Sequence, residues 1–166
     1  MQYSKYEDYQ ELYKDGIDEQ DFNRLLFVAE KKIDNYTTCV NGVKKLKVAF
    51  PMDDESVEAI SRCACDIVHT MWSVEEAEKS ANESSTLVEG PNGVFHSKVA
   101  ASVNSGSESI SYATTKSTAT LVDVVLTDKK AQEQLYRDSV ETYLRGVLDD
   151  NGVPLLFRGT YPTEYL

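Results

Sequence analysis

No apolar run in this chain approaches the roughly 20 residues that a membrane-spanning helix requires, so no membrane association is expected. Cysteine is sparse. Cys39, Cys63 and Cys65 form an odd set, which reads as reduced thiols in a cytosolic setting rather than a disulfide framework. Positive charge is scarce too: 17 Lys and Arg stand against 28 Asp and Glu, giving a net charge of -11 and a pI near 4.6. Tight, sequence-independent DNA binding needs clustered cations to displace counterions. A chain this acidic can still let DNA pass without holding it. The opening MQYSKYEDYQELY is charged and aromatic and does not read as a signal peptide.

Catalytic signatures are thin as well. The sequence has no Gly-rich phosphate loop, nucleophile elbow or dinucleotide fingerprint. Its two histidines are His69 and His96. Cys65 and His69 stand at i and i+4 and share a helix face, which would suit a metal. No second ligand pair accompanies them, and small residues in a packed helix account for the pair better. Carboxylates are abundant, but without apolar surroundings to shift one of them they read as a solvated surface. The expectation is a protein that is not an enzyme and holds no cofactor.

What is present is mostly amphipathic helix. Of 166 residues, 41% are hydrophobic and 27% charged, ordinary for one soluble domain with its own core. Residues 4–14 predict a first helix with Tyr6, Tyr9 and Tyr13 on one face, ended by Asp15 and a left-handed Gly16. Asp18 caps a second helix to about Thr38, with Phe22, Leu25, Leu26, Ala29, Ile33 and Tyr36 as its stripe. Asn-Gly, Pro51 and the cluster Lys44, Lys45 and Lys47 mark residues 39–53 as a loop, with a short strand through Leu46–Phe50.

Asp53 or Asp54 caps a third helix. Its apolar face is Val57, Ile60, Ala64, Ile67, Val68, Met71 and Trp72, and it extends to about Ser80. Thr127 caps the last helix, with Leu126 as a staple. Ala131, Leu135, Val140, Tyr143, Leu144 and Val147 form its stripe, and Asn151-Gly152 and Pro154 stop it. No repeat of fixed period is visible.

Residues 83–120 break this pattern. Turn signals occur at Glu89–Val94 and Asn104–Ser107. Alternating segments flank the second, 99–103 and 109–112, as in a β-hairpin. The expected fold is therefore mainly α: one domain over 1–166, a small bundle of about four helices (core 4–82 and 127–150). A β-hairpin is inserted at about 95–113, and an apolar tail follows at 153–166. Small Ser and Ala side chains and an exposed strand edge suit contact with another chain. The residues concerned are Val99, Ser102, Val103, Ser105, Ser109, Ile110 and Tyr112. Lys44, Lys45 and Lys47, a local reversal of charge, read as a contact with an acidic neighbour such as another copy.

Taken in order, YEDYQELY…GIDEQDFNRLLFVAEKKID, the long helix, VNSGSESISYA and LYRDSVETYLRGVLDDNGVPLLFRGTYP resemble the head–tail connector (head-completion adaptor) family of tailed bacteriophages and prophages. The link VLDDNGVP is longer than that family's usual one. The resemblance implies a structural virion protein at the head–tail interface, assembled in the cytoplasm of a bacterial host. It further implies a homo-oligomeric ring, typically a dodecamer, beneath the portal protein. The ring extends the DNA channel and joins capsid to tail through a stopper or tail-completion protein. Leu155, Leu156, Phe157, Arg158 and Tyr161 would then dock on the portal. The rival expectation is a bacterial protein-binding adaptor or regulator without catalytic activity.

Overall fold

A computed structural model describes residues 2–14, 16–89, 95–103, 110–113 and 128–165, with residues 80–113 described by their backbone. The described chain is mainly helical. It divides into two compact units, Met1–Trp72 with Lys130–Leu166, and Ser73–Lys129.

The first unit opens with α1 (Tyr6–Leu12). The Asp8 carboxylate reaches back to accept from the Lys5 N–H at 2.8 Å, satisfying a donor that the helix start leaves free. Tyr6, Tyr9 and Tyr13 do share a face. Tyr9 lies 5.1 Å from Tyr13 and 5.4 Å from Phe22, centroid to centroid. The helix ends at Tyr13 in extended backbone. Gly16 is not left-handed, contrary to expectation. A Cβ there would stand 2.5 Å from the Tyr9 ring, so glycine is needed for close approach rather than for its dihedral freedom.

Helix α2 (Glu19–Thr37) is capped by Asp18, whose side chain accepts from the Asp21 N–H at 2.8 Å. All six residues of its expected stripe are buried. A turn at Asn41-Gly42 then leads into α3 (Lys45–Val48), a short helix where a strand was expected. The reason is that Leu46 and Ala49, three apart, are buried while Lys47 and Val48 between them are exposed, which is helical spacing. A strand would bury alternate residues instead, placing Leu46 and Val48 on one face.

Helix α4 (Asp54–Ser84) is capped by Asp53, which accepts from the Ser56 N–H at 2.7 Å. The hydrogen bonds from Ser56 hold the Asp53 carboxyl below its ordinary pKa. Ile60, Cys63, Ala64, Cys65, Ile67, Val68 and Met71 are buried, and Trp72 packs against them half-buried. Helix α5 (Lys129–Leu144) stops earlier than expected, at Gly146 with φ +87. Val140 and Leu144 of its expected stripe are buried, and Tyr136 joins them in place of Leu135, which is exposed. The four-residue step keeps Tyr136 on the core side, where the Lys32 ammonium lies 4.4 Å from its ring. The expected cap at Leu126 and Thr127 lies outside the described residues.

In the second unit, β1 (Ser85–Glu89), β2 (Phe95–Val103) and β3 (Ile110–Ala113) form an antiparallel sheet in that order. Leu87 pairs with Ser97, Val99 with Ala113 and Val103 with Ile110, with a register shift between Ala100 and Ser102. The turn residues 90–94 and 104–109 lie outside the described residues.

Candidate functional site

Asn41-Gly42-Val43 and Asn151-Gly152-Val153 build the same turn twice in the first unit. Gly42 has φ +79 and Gly152 has φ +77. The Gly42 N–H donates to the Cys39 carbonyl and the Gly152 N–H to the Asp149 carbonyl, both at 2.9 Å. Each turn closes with a single antiparallel bridge, Thr38 to Lys44 and Leu148 to Pro154. Tyr161 links the two. Its backbone exchanges hydrogen bonds with the Asn41 side chain, and its hydroxyl donates to Asp149 Oδ2 at 2.7 Å and accepts from Asn151 Nδ2 at 3.0 Å. Burial, with the Asp149 carboxylate as hydrogen-bond acceptor, raises the Tyr161 pKa.

Lys45 fastens the tail to this clasp. It is fully buried. Its Nζ donates to the Thr37 carbonyl at 3.0 Å, the Leu155 carbonyl at 2.8 Å and the Phe157 carbonyl. Burial lowers its pKa; the nearby Cys39 and Asp149 offset part of that loss. An ammonium has three donors and no acceptor, so three carbonyls converging from two chain segments satisfy it completely. This corrects the expectation that Lys45 meets an outside acidic partner: its charge is used inside the fold. Lys47 is partly used as well, 3.5 Å from Asp34 and 4.9 Å from the Tyr3 ring. Lys44 is exposed.

The tail requires a second correction. Leu155 and Tyr161 are fully buried in this chain's own core, and Leu156 packs against it. Leu155 and Tyr161 are therefore not free to dock elsewhere. Phe157, 45% exposed, and Arg158, exposed, face solvent. Close by, the Val40 N–H donates to the Gly159 carbonyl at 3.3 Å, and Val40 itself is 81% exposed.

Of the expected strand-contact residues, Val99, Ser102 and Val103 fall in β2 and Ile110 and Tyr112 in β3. Ser105 and Ser109 lie outside the described residues.

Cys65 and His69 do not converge on a common ligand. Cys65 Sγ lies 3.0 Å from Ser4 Oγ, while His69 Nδ1 lies 3.0 Å from the Tyr9 hydroxyl. Burial pushes the Cys65 thiol up to about 11 and Cys63 further, so both stay protonated, the unreactive form of a thiol. Burial also lowers the His69 pKa, against a raising influence from Asp66. His69 stacks on Tyr13 at 4.0 Å and 8°. Asp66 accepts from the Tyr13 hydroxyl at 2.9 Å and from Ser139 Oγ at 2.6 Å. The network fastens α1, α4 and α5 to one another. No group of three metal-ligating side chains occurs among the described residues.

Sequence reasoning missed the clasp. Its signal was the Asn-Gly-Val triplet, repeated after two amphipathic helices. Comparison with protein-family models, curated proteins and solved structures gives no match.

Proposed function

We propose that this chain is a structural adaptor of the head–tail connector type, acting as one subunit of a ring below a phage portal. The observation that carries the proposal is the construction of the first unit. Its buried and partly buried polar groups are bonded within the unit: buried Lys45 to three carbonyls, buried Tyr161 to Asp149, and half-buried Asp66 to Tyr13 and Ser139. The insertion Ser73–Lys129, with its antiparallel sheet, interrupts this body. A densely hydrogen-bonded body with an insertion suits assembly, and the order of sequence features resembles that of the connector family.

In this reading β2 and β3 are the two arms of a hairpin finger that touches neighbouring subunits or lines the channel through Val99, Ser102, Val103, Ser105, Ser109, Ile110 and Tyr112. Two isolated strands are marginally stable, so β1 and a neighbouring subunit both support them. The net charge of -11 repels phosphates and lets DNA slide. Phe157 and Arg158 belong to the contact surface of the assembly. Ring symmetry multiplies weak single contacts.

The test is to mix the full chain with a cognate portal ring, sediment the mixture and image it. The expected result is a second ring co-sedimenting with the portal. A chain that stays unbound and monomeric at every concentration overturns the reading and favours the protein-binding regulator. Truncation after Gly152 is no test, because it removes the core residues Leu155 and Tyr161.

A further inference from the structure

The first unit carries a groove lined mostly by carboxylates, with two exposed apolar side chains among them. Helix α1 supplies Asp8, Glu11 and Leu12, and α4 supplies Asp54, Val57, Glu58, Ser61 and one cation, Arg62, around an open cavity of about 340 Å³. Leu12 and Val57 are 42% and 36% exposed. Asp8 is occupied by Lys5 N–H and Ser61, and Glu58 by Arg62. Glu11 and Asp54 are exposed and head no ion pair among the described residues.

The same unit carries the opposite pattern at the clasp. Val40 and Phe157 are exposed apolar side chains. Lys44 and Arg158 are exposed cations, also without an ion pair among the described residues. Their backbone is held firmly, because Lys45 gathers the Leu155 and Phe157 carbonyls and Val40 bonds to Gly159. Two apolar groups with two unmatched cations are the chemical complement of two apolar groups with two unmatched carboxylates.

We infer that the clasp of one copy, through Val40, Lys44, Phe157 and Arg158, seats in the Glu11–Asp54 groove of the next. The inference rests on the ring reading and deepens it by naming the two surfaces. The patches share no residue, so in the ring the contact is head-to-tail and repeats from copy to copy until the ring closes. Arg158 and Phe157 then face a neighbouring subunit rather than the portal. In a chain with 17 cations against 28 anions, a pair of free cations beside exposed apolar groups also favours one docking register by charge complementarity.

The experiment uses full-length chain in analytical ultracentrifugation over a concentration series at low and moderate salt, with and without a cognate portal ring. One variant reverses the groove (Glu11→Lys with Asp54→Lys) and another the clasp (Lys44→Glu with Arg158→Glu). Circular dichroism checks that both fold. Each variant alone should associate at least tenfold more weakly than the parent. An equimolar mixture of the two should recover association, because the basic clasp of one meets the acidic groove of the other, and the reversed pair is complementary too. Mere structural damage would not be rescued by mixing. If the parent forms rings and neither reversal weakens them, this contact is wrong and the ring reading stands. If groove reversal abolishes portal binding but leaves self-association intact, the groove belongs to the portal and the inference is overturned. A parent that never self-associates, even on a portal, overturns both.

Discussion

Two glycines show how differently single residues are constrained. At Gly16 the obstacle is steric: an added Cβ would meet the fully buried Tyr9 ring at 2.5 Å. At Gly42 nothing lies within 4 Å of an added Cβ, but φ is +79, so the obstacle is backbone strain. Gly16→Ala is expected to cost about 1–3 kcal/mol, the usual range for overpacking. Gly42→Ala should cost roughly 1–2 kcal/mol, the left-handed penalty of an L residue. Gly42→Asn should recover part of that loss, because Asn tolerates this region, whereas Gly16→Asn should be worse than Gly16→Ala. Urea denaturation of the four variants checks the ordering. Equal losses for Ala and Asn at position 42 would mean that the turn is not held by its dihedral.

Lys45 is the other residue whose role follows from its contacts. Replacing it with Met keeps much of the apolar stem and removes the donors from three carbonyls. Each buried carbonyl left unsatisfied costs about 1–3 kcal/mol, while removing a desolvated charge returns part of this. A net loss of about 3 kcal/mol is expected in urea denaturation. Limited proteolysis should cut first within 155–165, as the tail is what the ammonium holds. A Lys45→Met protein as stable as the parent would show that desolvation of the charge outweighs its hydrogen bonds.

Among the elements, legibility followed periodicity. The stripe of α2 was readable because six apolar residues recur at helical spacing between an Asp cap and a polar loop, and all six are buried. The cap should be measurable: Asp18→Ala is expected to cost about 1 kcal/mol, typical of a lost N-cap bond. Helix α5 was readable as a helix, and Val140 and Leu144 of its expected stripe are buried, but Tyr136 takes the core position expected of Leu135. Leu135 and Tyr136 are both acceptable core residues by composition, and the four-residue step back from buried Val140 selects Tyr136, over whose ring the Lys32 ammonium lies. Helix α3 was illegible because a Lys cluster predicts solvent, and nothing local announces that three carbonyls from residues 37, 155 and 157 converge on one of its ammonium groups. The candidate site shares this limit. Exposed Lys44, Phe157 and Arg158 were picked out by chemistry, whereas Leu155 and Tyr161 were misread because an apolar tail looks alike whether it covers its own core or another protein's.

For the whole molecule, the stability curve against pH should carry the mark of His69. It lies among Tyr9, Tyr13, Trp72 and Asp66, and burial holds its folded pKa below the unfolded value of about 6.5. Above about pH 6.5 both states hold it neutral, and its contribution is fully present. As the pH falls from there, the unfolded chain binds a proton that the folded chain refuses, so stability drops until the lower folded pKa is reached. His69→Gln retains a hydrogen-bonding partner for Tyr9 but cannot titrate. The variant should therefore start less stable at pH 7.5 and lose less between pH 6.5 and 5, narrowing the gap with the parent as acid is added. Carboxylates that titrate in the same range cancel in that difference. The measurement is the difference in unfolding free energy between parent and variant at half-unit pH steps. A gap that stays constant or widens toward pH 5 would mean that Asp66 compensates the burial and that His69 is charged in the folded protein.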